Sequence, residues 1–370
     1  MRDVVENALV VPVLSACAAL IIRTRRPLVI GITGSVGKTT TKEIVAGVLM
    51  HARDTVGAVH KTPGNLNNNL GVAMTVLGYE RWFYGARDWL THLLLLPFRT
   101  FALATLAPYP DVLVLEIGAG LHGSVPGNCR IVRPTIGVVT EIGPAHLEHF
   151  GSVAEVIREK SAMVRAIPPS GLVVLNGSNP LVLAMAAESR APVVEVEGRG
   201  IELARNVARA IARHLGVPDT AIETALGDLK PVRRRLQRIA AGKITIIDDS
   251  FSANPLSMKL ALDELASSAS PGQRRVAILG TMRELGVDTV RYHEEIGAYA
   301  RARADLLIGV GEHVTHYQVQ RSFADSHSCA AAIGSIVQAG DAVLIKGSAA
   351  VELGIVVEAL RDSASLSAIK

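Results

Sequence analysis

From Leu28 onward, short apolar runs of strand length alternate with longer stretches of helical period. That alternation predicts a mostly parallel sheet covered by helices. Strands are expected at Leu28–Ile32, Val112–Ile117, Thr135–Val139, Leu172–Leu175 and Val193–Val196. Helices are expected at Lys38–His51, Val153–Ile167 and Asn206–Leu215, the last stopped by Gly216-Val-Pro218. A second series begins after Lys230-Pro231. Its strands fall at Ile244–Ile247, Arg275–Leu279, Leu306–Val310 and Ala342–Ile345, with helices at Pro255–Ser267, Tyr292–Arg303 and Ser328–Gln338. The pattern gives an α/β protein of two domains, residues 27–232 and 233–370.

Two apolar segments stand outside this alternation. Ala8–Ile22 is an apolar run broken by Pro12 and Ser15 and closed by Arg23-Thr-Arg-Arg26. Crossing a bilayer takes about 20 apolar residues, and a cleavable signal carries its basic residues before the run. An N-terminal helix within residues 1–26 is therefore expected, either packed on the protein or lying in a membrane interface. The second segment, about 78–110, holds Arg81-Trp-Phe-Tyr84, Trp89-Leu-Thr-His-Leu-Leu-Leu-Leu96, Pro97 and Phe98-Arg-Thr-Phe101. Trp, Tyr and Arg bordering an apolar helix suit an interfacial anchor. Residues 8–22 and 82–106 are expected either to touch a membrane or a partner, or to pack on each other as local core.

Composition narrows the class. Apolar residues make up 49% and charged residues 19% of 370, enough for large cores and without the signature of disorder. The net charge of +4 is small, and six Phe, six Tyr and two Trp offer few rings for stacking bases. A nucleic-acid partner is not expected. Cys17, Cys129 and Cys329 are far apart in sequence, with no C-x-x-C pair. They are expected to be buried thiols in a reducing compartment, which places the chain in the cytoplasm, at the inner membrane face if the apolar segments meet a bilayer.

The chemistry begins at Gly31-Ile-Thr-Gly-Ser-Val-Gly-Lys-Thr-Thr-Thr41, between a predicted strand and a predicted helix. Glycines at 31, 34 and 37 let backbone N–H groups approach a polyphosphate, Lys38 supplies a cation, and Thr39 places a hydroxyl where Mg²⁺ would sit. Gly34, Ser35, Gly37, Lys38, Thr39 and Thr40 are thus candidate nucleotide contacts. Other polar residues recur at predicted strand ends, where ligands sit in open α/β sheets. Glu116 closes an otherwise apolar strand, His146 follows the next one, and Lys160 lies on the helix after Ser152. Singly, each is equally well a strand-end carboxylate, a satisfied core histidine or a solvated lysine.

Taken in order, these blocks resemble the Mur ligase family. Thr33–Thr41, Asn65-Leu-Asn-Asn-Asn-Leu-Gly71, Glu116-Ile-Gly118 and His146-Leu-Glu-His-Phe-Gly-Ser152 with Lys160 look like its central domain. Arg235-Leu236, Asp248–Pro255, Leu279–Gly286, His293 and Lys346-Gly-Ser348 look like its Rossmann-like C-terminal domain, in the branch that adds D-alanyl-D-alanine to a muramyl peptide. The resemblance implies an ATP-dependent ligase that activates a carboxylate as an acyl phosphate and lets an amine attack it. It implies that Lys38 meets the β/γ-phosphates, that Thr39 and Glu116 hold one Mg²⁺, and that His146 holds a second with a carbamylated Lys160. It further implies that Asn68 helps place phosphate and metal, that Arg235 and Asn254 hold the nucleotide, and that His293 and Lys346 face substrate.

The chain also departs from the family pattern. The glycine turn starts where the family still carries an N-terminal domain gripping UDP, so the acceptor is expected to be a small-molecule or lipid-linked peptide substrate, with a partner chain as a candidate source of its recognition. The usual Asp-Asp-Ser-Tyr-Asn-Ala-Asn reads Asp248-Asp-Ser-Phe-Ser-Ala-Asn254, Gly-Asp-Met reads Gly280-Thr-Met282, and Ala349 stands where Arg is usual. A ligase of another pathway, forming polyglutamate or natural-product amides, and a non-catalytic nucleotide-binding subunit are the alternatives.

Overall fold

The computed structural model describes residues 10–83 and 85–367. Residues 1–9 of the expected N-terminal segment, and Tyr84 of the aromatic cluster, lie outside the described residues. The chain divides into two compact units, one running to Ile142 and including Ala154–Leu229, the other made of Gly143–Val153 and the chain from Lys230. Residues 143–153, expected within the first domain, thus belong with the second unit.

The first unit is built on six parallel strands, β1 (Leu28–Thr33), β2 (Val59–Lys61), β3 (Val112–Glu116), β4 (Ile136–Val139), β5 (Leu172–Asn176) and β6 (Val193–Val196). Their order is β2-β3-β1-β4-β5-β6, which reverses direction about β1. β3, β4 and β5 are buried along their whole length, as continuous apolar runs must be when both faces are covered. One face packs on α2 (Lys38–His51), whose Ile44, Val45, Val48 and Leu49 join Leu203, Val207 and Ile211 of a later helix in one core.

On the other side, α1 (Val11–Arg25) packs on α3 (Asn69–Val76) and turns Leu14, Ala18, Ile21 and Ile22 inward. α4 (Ala86–Phe101) runs straight through Pro97 and ends in one wide turn, Ala102–Leu106. It buries Leu96, Thr100 and Ala104 but leaves Leu90, Leu94, Leu95, Phe98 and Phe101 exposed. α1 thus has one buried face, whereas α4 has little of one. Cys129 and Cys329 are buried as expected; Cys17 is only half-buried, because it faces the furrow between α1 and α4.

The second unit has the order β11-β10-β9-β12-β8-β7. It comprises β7 (Gln237–Ala241), β8 (Ile244–Asp249), β9 (Arg275–Gly280), β10 (Leu306–Val310), β11 (Arg321–Phe323) and β12 (Ala342–Lys346). All pair in parallel except β7, which runs antiparallel to β8 at the edge. Sequence pattern missed β2, β7 and β11. β2 and β11 are three residues each and β7 alternates half-buried and exposed positions, so none is an apolar run.

Candidate active site

The glycine turn leaves β1 at Thr33 and enters α2 at Lys38. Gly34 and Gly37 have φ of 149° and 88°, values that other residues adopt only with strain. A Cβ on Gly34 would lie 2.1 Å from Thr140 Oγ1, so the turn can press against the end of β4 only without a side chain. There the Thr140 hydroxyl donates to the Val36 carbonyl (2.6 Å), and the Ser35 N–H donates to the Glu141 carbonyl. Lys38 Nζ donates to the Gly34 carbonyl (2.7 Å). The result is a helix N-terminus under a glycine loop, a geometry that suits an anion.

Glu116 ends the adjacent strand β3, in register with Ile32 of β1. Its side chain is buried, with Oε1 accepting from Asn67 Nδ2 (2.8 Å) and its own N–H donating to Thr62 Oγ1 (3.0 Å). Oε2 is buried without a hydrogen-bond partner among the described residues, and Lys42 Nζ stands 3.8 Å away. Lys42, one turn after Lys38 on α2, is fully buried and donates to the carbonyls of Thr62 (2.9 Å) and Gly64 (3.1 Å). It thereby pins the start of the Asn-rich loop beside Glu116. Asn68, expected to place phosphate and metal, instead caps α3 by accepting the Gly71 N–H (2.8 Å). The amide that reaches Glu116 is Asn67. Neither Asn67 nor Lys42 was singled out from the sequence, although Lys42 lies on the same helix face as Lys38 by its four-residue spacing.

Lys160 lies on α5 (Val153–Ala166), which sits close to the sheet because two glycines make room. Gly31 and Gly137 are paired in register, and Cβ atoms there would meet Met163 Cε at 2.9 Å and Ile167 Cγ1 at 2.8 Å. The Lys160 side chain is fully buried and its Nζ has no hydrogen-bond partner among the described residues. Burial, with the Lys38 charge adding to it, holds its pKa well below the ordinary lysine range. The neighbouring carboxylate of Glu159 is turned away, accepting the N–H groups of Gly123 (2.9 Å) and Val125 (2.7 Å). Lys160 is therefore a buried amine held toward its neutral form.

The remaining candidates lie in the second unit. His146 Nδ1 is bonded to Glu284, whose pKa that contact lowers, and both residues hold left-handed backbones with φ of 55° and 62°. Arg235 stacks its guanidinium 4.4 Å from the Phe251 ring centroid, in the block where the family has Tyr. Asn254 heads the helix Pro255–Ser268 in a capping box, accepting the Ser257 N–H at 2.9 Å.

Two further candidates, expected to face substrate, lie buried in this unit. His293 is buried with both ring nitrogens engaged: Nδ1 donates to the Thr289 carbonyl (2.7 Å) and Nε2 accepts the Met282 N–H (3.2 Å). It orders the Gly280–Met282 turn. Lys346 is likewise buried, donating to Asp249 Oδ2 (2.6 Å) and the Ser252 carbonyl (2.7 Å), so it braces that loop from within.

Among the described residues no three His, Cys, Asp or Glu side chains gather as a metal cluster. Mg²⁺ does not need one: it is commonly held by one or two carboxylates, a hydroxyl, water and substrate phosphates. A buried carboxylate oxygen without a partner, beside an anion-binding turn, fits that ion.

Comparison with known proteins points the same way. The Mur ligase middle domain matches residues 32–82 and 100–215, and the Mur ligase glutamate ligase domain matches residues 234–349. The UDP-N-acetylmuramoyl-tripeptide--D-alanyl-D-alanine ligase of Mycobacterium tuberculosis is 32% identical, over 90% of this chain and 72% of its own length. The Escherichia coli enzyme of the same name is 28% identical, over 90% of this chain and 77% of its own. Among solved structures, a MurF ligase from Thermotoga maritima in complex with ADP superposes with a TM-score of 0.78 at 22% identity, covering 96% of this chain and 84% of that one.

Proposed function

The chain belongs to the Mur ligase family, and we propose that it joins the carboxylate of a muramyl-peptide-class acceptor to D-alanyl-D-alanine or a close amine, converting ATP to ADP and phosphate in cell-wall synthesis. The observation that carries this reading is the juxtaposition on neighbouring strands of the glycine turn with Lys38 and a buried, half-satisfied Glu116. Residues 27–232 act as the ATP-binding domain and 233–370 as the C-terminal domain, a division supported by the two family matches.

An acceptor carboxylate oxygen attacks the γ-phosphorus, the bond to ADP breaks, and an acyl phosphate remains. The amine nitrogen then attacks the acyl carbon, loses a proton, and phosphate departs. The first step carries charge on phosphoryl oxygens, so catalysis rests on positioning and neutralisation. Backbone amides of the glycine turn other than that of Ser35 cradle the phosphates, and Lys38 exchanges the Gly34 carbonyl for β/γ-oxygens. Thr39 and Glu116 would hold Mg²⁺, which would supply charge neutralisation at the transferring phosphoryl group. Asn67 and Lys42 keep Glu116 in place.

Lys160 carries the finer part of the proposal. CO₂ adds only to a neutral amine, and Lys160 is the buried amine held toward that form. Carbamylation turns it into an anionic oxygen donor able to take part in holding a second Mg²⁺. The roles of His146, Arg235 and Asn254 toward metal and nucleotide rest on the family resemblance alone.

On this reading the enzyme works in the cytoplasm, with an acceptor that is nucleotide-linked or lipid-linked. The test is ADP release with D-alanyl-D-alanine and either UDP-linked or lipid-linked muramyl peptides. ADP formation that requires both the amine and one muramyl acceptor is expected. Turnover only with glutamate and a non-muramyl acid would move the chain to another pathway, and nucleotide binding without any turnover would make it a regulatory subunit.

A further inference from the structure

We propose that α1 and α4 form a docking surface for an anionic lipid bilayer, on which the first unit rests with both helices lying in the plane of the interface. Arg87–Leu106 is a 20-residue helical stretch long and apolar enough to cross a membrane, yet it lies against the protein and is only 17% buried. At 1.5 Å per residue it presents a face about 30 Å long. From Leu90 to Leu106 every exposed position is Leu, Phe, Pro or Thr, without a single charge. Alongside it, Pro12, Val13, Ala16 and Leu20 of α1 are exposed too, and a furrow of about 640 Å³ between the helices is lined by Val13, Leu20, Leu93 and Phe101. A patch of this extent is more than a monomer ordinarily leaves to water.

The polar groups on this face identify the occupant. The exposed hydroxyls of Thr24, Thr91 and Thr105 each donate to the carbonyl four residues back, at 2.8, 2.9 and 2.8 Å. Such bonds satisfy a hydroxyl inside its own helix, as hydrocarbon surroundings require. A protein partner ordinarily brings one hydrogen bond per 100–200 Å², and this face offers almost nothing to receive it. Arg99, the one charge between Asp88 and Leu106, is turned inward onto the carbonyls of Leu77 (2.6 Å) and Gly78 (2.7 Å). Arg25 does the same with Leu103 (2.7 Å) and Ala107 (2.6 Å), which fixes the ends of the two helices together. The charges left exposed on or just beyond the two helices are arginines at their ends, Arg87 at the start of α4 and Arg23 and Arg26 at the end of α1. The one carboxylate on the described residues of either helix, Asp88, is paired with Arg81 (3.1 Å). An apolar band with basic ends is complementary to acyl chains beneath anionic headgroups.

The surface is tied to the loop that reaches Glu116. α1 packs on α3, and Trp82 Nε1, just before α4, donates to Asn65 Oδ1 at 3.2 Å. Lipid binding itself needs neither nucleotide nor acceptor, so its failure would leave the ligase reading untouched.

Flotation of the full chain with vesicles tests the proposal, using phosphatidylcholine alone or mixed with phosphatidylglycerol. The wild-type chain is expected to float with the mixed vesicles, and more weakly with the neutral ones or at high salt. L94E/F98E alters only exposed side chains and should keep its thermal midpoint while losing about tenfold or more in partitioning. R23Q/R26Q/R87Q should lose the preference for anionic vesicles. A wild-type chain that stays in the aqueous phase with both vesicles, or an L94E/F98E chain that floats unchanged, overturns the proposal. So does a wild-type dimer by sedimentation that L94E/F98E converts to monomer without any flotation, because a second copy then covers the face.

Discussion

Asn67 Nδ2 lies 2.8 Å from Glu116 Oε1, while Oε2 of the same buried carboxylate has no hydrogen bond among the described residues and only the Lys42 charge 3.8 Å away. A buried ionic oxygen is costly to leave unsatisfied unless a ligand completes it. Glu116→Gln keeps the shape and the Asn67 contact but removes the charge. It is expected to lower kcat about 10²-fold or more, a loss of about 3 kcal/mol of electrostatic stabilisation. The Mg²⁺ concentration for half-maximal rate should rise, and unchanged Mg²⁺ dependence would remove Glu116 from the ion.

Lys42 links α2, the Thr62–Gly64 segment and Glu116 from a fully buried position. Lys42→Met leaves two carbonyls and a carboxylate without their cation, and is expected to destabilise the fold by about 3 kcal/mol. Urea unfolding measures it. Lys42→Arg should not restore stability, because a planar fork does not match the two carbonyl positions. A midpoint unchanged in Lys42→Met would show the contacts to be dispensable.

Lys160→Ala should abolish turnover while nucleotide binding stays within about threefold, because the amine sits on α5 rather than in the glycine turn. In the wild-type protein, ¹³C-bicarbonate should give a carbamate resonance that Lys160→Ala lacks. Full activity in that variant would exclude a role for the modification.

His293 ties stability to pH. Burial, helped by the nearby His313 and His316 and opposed by the hydrogen bond to the Thr289 carbonyl, lowers its pKa from 6.5 to about 4. The folded state therefore holds the neutral ring, and the unfolded chain binds the proton first as pH falls. The contribution is whole above pH 6.5, is lost progressively between pH 6.5 and about 4, and amounts to about 3 kcal/mol in full. His293→Gln should flatten that part of the pH profile in urea titrations. A changed acceptor KM with an unchanged pH profile would instead restore the substrate contact expected from sequence.

Much of this arrangement was legible in the residues. The strands at Leu28, Val112, Val138 and Val174 announced themselves because burial on both faces demands unbroken apolar runs. The glycine turn was legible because its backbone geometry admits few residues. What sequence could not give was the partnership of polar side chains. Three adjacent asparagines look alike in the chain, yet Asn67 reaches Glu116, Asn68 caps a helix and Asn69 accepts from Asn128. Nor could the sequence show that His293 and Lys346 are buried and hydrogen-bonded to Met282 and Asp249. Lys160 was found by position, but only the paired glycines at 31 and 137 explain how it comes to be buried.

The most direct measurement follows oxygen from the acid. With ¹⁸O in the acceptor carboxylate, activation by phosphoryl transfer must deliver one labelled oxygen to the inorganic phosphate released as amide forms. Labelled phosphate in step with ADP, in the presence of amine, is the expected result. ADP formed at the same rate with wholly unlabelled phosphate would contradict it.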